Sequence, residues 1–236
     1  MINVAILAGG LGTRLAPITQ REPKALIEIN GEPFVAHQLR LLRSRGIVRV
    51  VFCIGYLGEM IQNFVGDGSR FNLEVSYAFD GRKLRGTAGA IRHALPLLGE
   101  EFFVLYGDSY LPCDYGAVAS AFLRSGKLGL MTVYPNEGKW DLSNVEMAGG
   151  DIVKYDKRNR TPSMRHIDYG LGAFRRAAFA GIDADGFCDL AELYRDLLLR
   201  GELAACEMDC RFYEIGSLSG IEELSALLSV GVRDRQ

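Results

Sequence analysis

The sequence predicts an α/β fold on a doubly wound, mixed sheet. Strand-length apolar runs alternate with helix-length amphipathic segments through the first half, and a glycine-rich turn follows the first run directly. Alternation of this kind implies parallel strands with right-handed crossovers and helices on both faces. The chain has 236 residues, 48% hydrophobic and 24% charged, ordinary values for one large globular domain.

The first strand is expected at residues 3–7, and further strands at 48–54, 73–78, 102–106 and 128–134. Between them, residues 33–45 read as a helix stopped by Gly46, 57–65 as one stopped by Gly66, and 114–125 as one stopped by Gly126. Residues 87–98 read as a helix carrying Pro96 near its end. The second half changes character. Residues 144–147 and 151–155 flank Ala148-Gly149-Gly150 as a hairpin, and another strand is expected at 169–174, which makes the sheet mixed. A helix over 188–200 has Asp189 and Glu192 spaced as a capping box, and Ser219 with Glu222 opens a last helix running to about residue 229. One domain is expected over 1–230, with halves 1–126 and 127–230 and a frayed tail at 231–236.

Lys and Arg number 27 against 29 Asp and Glu, a net charge of -2, so no global basic field is available to hold nucleic acid or an anionic membrane. No apolar run reaches the length of a membrane span, and the opening stretch lacks the basic start of a signal peptide. Five irregularly spaced cysteines do not form a disulfide framework, which points to a reducing, cytoplasmic location. Cys206 and Cys210 have no second ligand pair at zinc spacing. Oligomeric state is open between a monomer and a small homo-oligomer, because an exposed apolar patch is a property of the folded surface.

An anion must therefore be gripped locally. Leu7-Ala8-Gly9-Gly10-Leu11-Gly12-Thr13-Arg14-Leu15 follows the first strand, and Pro23-Lys24 follows it. Bare glycines let backbone N–H groups surround a polyphosphate, and Arg14 and Lys24 add cations. The P-loop pattern GxxxxGK[ST] is absent, and Leu15 stands where the dinucleotide pattern GxGxxG needs its third glycine. A simple tight turn would account for one or two of the glycines, not for both cations.

This stretch resembles the LAGGxGTRL loop followed by PK of the sugar-phosphate nucleotidylyltransferases. The resemblance continues in order through Gly86-Thr87-Ala88-Gly89, Tyr106-Gly107-Asp108, Tyr155-Asp156-Lys157 and Tyr213-Glu214-Ile215-Gly216. It implies a Rossmann-like nucleotide-diphospho-sugar transferase fold, with a nucleotide-binding half at 1–126 and a sugar-phosphate-binding half at 127–230. It also implies magnesium, and transfer of a nucleoside monophosphate from a nucleoside triphosphate to a sugar 1-phosphate with release of pyrophosphate.

By that resemblance Leu7, Ala8, Gly9, Gly10, Gly12 and Thr13 cradle the nucleotide, Arg14 and Lys24 serve its phosphates, and Asp108 holds magnesium at a strand's carboxyl end. The turn of Gly86, Thr87 and Gly89 is expected to present N–H groups to the base and ribose from a helix start. Lys157 is expected on the sugar phosphate, with Arg158 in place of the family's usual proline, and Asp168 and Gly170 on the sugar. Glu214 occupies the position of a second metal ligand that is usually aspartate. His37 and His93 read as helix-surface groups and Trp140 as a cover for the core. The expected pair is GTP with heptose 1-phosphate of the manno configuration or mannose 1-phosphate. UTP with an amino-sugar 1-phosphate is the alternative, and a non-catalytic nucleotide-sugar sensor is a further one.

Overall fold

The computed structural model describes residues 2–10, 15, 18–81, 85–183 and 186–233. In chain order the strands are β1 (Asn3–Leu7), β2 (Glu28–Ile29), β3 (Glu32–Pro33), β4 (Arg49–Ile54), β5 (Glu74–Phe79), β6 (Glu101–Tyr106) and β7 (Ser109–Tyr110). They continue with β8 (Gly129–Tyr134), β9 (Val145–Ala148), β10 (Asp151–Tyr155), β11 (Ile167–Arg175), β12 (Leu203–Glu207) and β13 (Tyr213–Glu214). The α-helices are α1 (Phe34–Ser44), α2 (Gly58–Val65), α3 (Gly86–Ala94), α4 (Tyr115–Ser125), α5 (Leu190–Leu199) and α6 (Leu218–Arg233).

Seven strands form the central sheet in the order β12-β8-β11-β6-β1-β4-β5. All run parallel except β11, which lies antiparallel between β6 and β8. The strands nearest the centre are almost uninterrupted apolar runs because both sheet faces are covered. One layer of core joins β1 and β4 to Val35, Leu39, Ile61, Val118 and Phe122, and the opposite layer joins β6 and β8 to Ile91, Ala94, Leu193 and Leu197. The order reverses beside β1, so a crevice opens beyond the carboxyl ends of β1 and β6. The hairpin of β9 and β10 forms as expected, with Gly149 and Gly150 both at positive φ.

Several expectations need correction. The helix expected over 87–98 begins at Gly86 and gives way after Ala94 to a 3-10 turn, Leu95–Leu97, because Pro96 has no N–H to continue the α-helical bonding. The last helix starts at Leu218, where Ser217 Oγ, not Ser219, accepts from Gly220 N at 3.1 Å. It runs to Arg233, so residues 231–233 are helical, and 234–236 lie outside the described residues. The edge strand β12 and the two-residue pairs β2–β3 and β7–β13 had no periodic signal. Trp140 does not cover the core: it is 45% exposed, and the Arg211 guanidinium stacks on its ring at 3.4 Å. His37 is partly buried, its Nε2 at 2.9 Å from the Ile29 carbonyl, while His93 is exposed as expected.

Candidate active site

Two neighbouring cavities occupy the crevice, and they share Tyr106 and Asp108. The first, of about 300 Å³, is walled by Leu7, Ala8, Gly9 and Gly10 beyond β1, by Lys24, and by Gly86 and Thr87 at the start of α3. Gly9 has a packing reason to lack a side chain, since a Cβ there would meet Asp80 Oδ2 at 3.0 Å and Gly55 N at 3.2 Å. Gly107 binds the strand ends together. Its N–H donates to the Leu7 carbonyl at 2.9 Å, and a Cβ would stand only 2.7 Å from that oxygen. Gly12, Thr13 and Arg14, expected to cradle and neutralise the phosphates, lie outside the described residues, as does Leu11.

At the boundary of the two cavities Lys24 Nζ donates to Asp108 Oδ2 at 2.9 Å, both side chains largely withdrawn from solvent. Lys24 comes from a 3-10 turn, Lys24–Leu26, entered through Pro23, and Asp108 from the turn after β6. That turn is fixed from beneath. Gln38 of α1, 1% exposed, donates through Nε2 to the carbonyls of Ser109 at 2.7 Å and Tyr106 at 3.2 Å. Buried carbonyls that accept in this way hold the intervening residues in one conformation.

The glycine turn at 86–89 is used differently from the expectation. The N–H groups of Ala88 and Gly89 do not face the cavity: both donate to the Cys188 carbonyl, at 2.9 and 3.1 Å. A Cβ on Gly86 would lie 2.4 Å from that same oxygen, and φ there is +71°, so only glycine fits. The start of α5 is held reciprocally. Thr87 Oγ1 accepts from Leu190 N at 2.7 Å and donates to Asp189 Oδ1 at 2.7 Å. Asp189 and Glu192 therefore form no capping box, because Thr87, a hundred residues away in sequence, caps α5 instead. Gly86 and Thr87 line the first cavity, while Gly89 packs under Gly186.

The second cavity, of about 310 Å³, is lined by Asp108, Lys157, Asp168, Gly170 and Glu214 together with Asp141 and Arg160. Lys157 Nζ stands 3.3 Å from Asp168 Oδ2 and 5.4 Å from the centre of the Tyr106 ring. Burial works against the ammonium, yet the Asp168 carboxylate and Tyr106 hydroxyl outweigh it and hold the Lys157 pKa well above its ordinary value. Burial likewise pushes the Tyr106 phenol up to about 12, so it stays neutral around neutral pH. The Asp168 side chain is 4% exposed and is also approached by the Tyr155 hydroxyl at 3.4 Å and by Gly170 N at 3.1 Å. Asp168 thus lies in the cavity wall chiefly as the partner of Lys157. Gly170, at φ +100°, sits within the stretch between Asp168 and Gly172 where the β11–β8 register shifts.

Glu214 lines the second cavity with Asp108, its strand β13 pairing with β7 so that Glu214 opposes Ser109. Ile215 N donates to the Asp108 carbonyl at 2.9 Å, which ties the two acidic turns together. Two carboxylates on one wall are the hard oxygen donors that suit magnesium when substrate oxygens complete the shell. Among the described residues no three His, Cys, Asp or Glu cluster as a metal site of their own. The donor set therefore fits a cation shared with a ligand.

Sequence reasoning pointed to the segment from Asp80 to Arg85 for base recognition without assigning Asp80 a role, and missed Phe187, Asp189 and Gln38. Asp80 follows β5 and lines the first cavity, with its pKa raised by burial, so the strand-end argument that found Asp108 could have found it. Phe187 and Asp189 reach the same cavity from just before α5 and carry no local signal. No helix among the described residues is long and apolar enough to cross a membrane.

Residues 3–141 match the family described as "Nucleotidyl transferase". The chain is 28% identical to N-acetylmuramate alpha-1-phosphate uridylyltransferase of Neisseria meningitidis serogroup B, over 96% of this chain and 98% of that protein. It is 27% identical to mannose-1-phosphate guanyltransferase beta-A of Xenopus laevis, over 91% of this chain but 61% of that protein. Its fold agrees with the crystal structure of HddC from Yersinia pseudotuberculosis complexed with GMP-PN, at a TM-score of 0.81 and 23% identity, covering 97% of this chain and all of that one. With Gly9, Gly10, the strand-end Asp108 and Lys24 assembled at the sheet's switch point, and with more than half of the chain matched, the protein is an enzyme that belongs to the nucleotidyl transferase family.

Proposed function

We propose that this enzyme transfers a nucleoside monophosphate from a nucleoside triphosphate to a sugar 1-phosphate, the nucleotide lying in the first cavity and the sugar phosphate in the second. The observation that carries this is the shared wall: Tyr106 and Asp108 border both cavities, with Lys24 at the junction and Lys157 on the far side. A phosphate oxygen of the sugar 1-phosphate attacks the α-phosphorus. The bond from that phosphorus to the bridging oxygen breaks, and its electron pair leaves with pyrophosphate. The nucleophile is already an anion, so alignment and charge neutralisation supply the catalysis and no general base is required.

Lys157, locked by Asp168 and Tyr106, holds the attacking phosphate. Lys24 serves the α-phosphate, and Arg14 is assigned to the departing pyrophosphate. Asp108 and Glu214 would hold magnesium, which when bound neutralises phosphate charge in the transition state.

GTP is the preferred donor in this reading. The Asp80 carboxylate in the first cavity is an acceptor only, and guanine offers it two donors, N1–H and N2–H₂, where uracil offers one. The acceptor is then heptose 1-phosphate of the manno configuration or mannose 1-phosphate. UTP with an amino-sugar 1-phosphate is the second reading, favoured by the full-length similarity to the Neisseria uridylyltransferase. Pyrophosphate release, measured with magnesium for five nucleoside triphosphates against mannose, heptose, glucose and N-acetylated amino-sugar 1-phosphates, tests both. Release with GTP and a manno-configured sugar supports the first reading, release with UTP and an amino sugar supports the second, and silence from folded protein across the grid overturns the transfer itself.

A further inference from the structure

Phe187 is a large apolar side chain left 65% exposed in the wall of the first cavity. Single exposed apolar residues are common on protein surfaces, so exposure alone says little. Its backbone setting says more. Cys188 N donates to the Arg85 carbonyl at 2.9 Å, and the Cys188 carbonyl accepts from Ala88 and Gly89. On the other side Gly186 lies against Gly89, where an added Cβ would stand 3.1 Å from the Gly186 oxygen. The ring is therefore carried by a backbone clamped at its next residue to the start of α3, beside Arg85, Gly86 and Thr87, and it leaves a broad apolar face uncovered in the wall of that cavity.

We propose that Phe187 stacks on the nucleobase of the bound nucleoside triphosphate, burying that face on nucleotide binding. This rests on the assignment of the first cavity to the nucleotide. Every base has a π-face, so the ring adds affinity without choosing a base. Discrimination is left to groups that meet the base edge, such as Asp80.

The test is equilibrium binding of GTP, UTP and inorganic triphosphate, without sugar 1-phosphate, to the full chain and to Phe187→Ala and Phe187→Tyr. Phe187→Ala is expected to raise Kd for both nucleotides about tenfold, equivalent to about 1.4 kcal/mol, and Phe187→Tyr to restore it. Inorganic triphosphate, which has no base, is expected to bind all three proteins equally. Unchanged nucleotide binding by Phe187→Ala overturns the stacking, as does an equal loss for inorganic triphosphate, which would mark a structural role. Absence of nucleotide binding by the wild type overturns the cavity assignment and the stacking with it.

Discussion

Lys24 Nζ and Asp108 Oδ2 stand 2.9 Å apart at the common wall of two cavities. Each keeps the other oriented, and in the proposed transfer both serve the reacting phosphates. Lys24→Ala and Asp108→Asn are expected to lower kcat by about 10² to 10³, the usual cost of losing one preorganised electrostatic partner. Steady-state pyrophosphate release measures this, and circular dichroism confirms that the fold is retained.

Asp80 tests the choice of base. Asp80→Asn exchanges a pure acceptor for a group that both accepts and donates, so kcat/KM for GTP is expected to fall about tenfold relative to UTP. Competition between the two nucleotides in one assay reads the ratio directly.

A pH profile separates Lys157 from its partner. The raised pKa of Lys157 keeps it protonated through neutrality, so KM for the sugar 1-phosphate is expected to stay flat between about pH 7 and 9. In Asp168→Asn the burial that opposes the charge is no longer outweighed by a carboxylate, and the pKa drops. KM should then climb on the alkaline side, by about tenfold per pH unit once titration begins. A flat profile in the variant would show that Asp168 does not set the charge of Lys157.

Thr87 caps α5 from another helix. Thr87→Ala is expected to lower stability by about 1 kcal/mol, a fall of roughly 2–4 °C in Tm for a chain of this size, while Thr87→Ser retains it. Thermal unfolding of the three proteins in parallel makes the comparison.

Gln38 is buried and supports the turn that carries Asp108. Gln38→Leu removes the donor to two carbonyls, at an expected stability loss of about 1–3 kcal/mol. Because the same turn borders both cavities, kcat should fall as well. Denaturant unfolding and turnover together check this.

The sheet's first half was legible because its strands are apolar runs separated by amphipathic helices, of which α2 and α4 end at Gly66 and Gly126 where expected. Asp108, Lys157 and Glu214 were legible from their place in an ordered set of motifs. What stayed hidden was whatever depends on two distant segments. The spacing of Asp189 and Glu192 suggested a local cap, but the hydroxyl of Thr87 was nearer to hand once α3 and α5 packed together. Likewise the glycine turn at 86–89 suggested N–H groups open to a ligand, whereas the approach of Cys188 consumes those of Ala88 and Gly89. Two-residue strands such as β13 are held by tertiary pairing alone and are too short to show a period.

The clasp between α3 and the start of α5 also sets the order of events during synthesis. The chain emerges amino end first, so β1, Lys24 and α3 are available long before Cys188 and Leu190 are made. Until then the N–H groups of Ala88 and Gly89 lack their carbonyl partner, and the cavity beside them lacks the wall that Phe187 and Asp189 supply. The wall of that cavity is thus completed only once Phe187 and Asp189 are made, although most of the residues that line it were translated first.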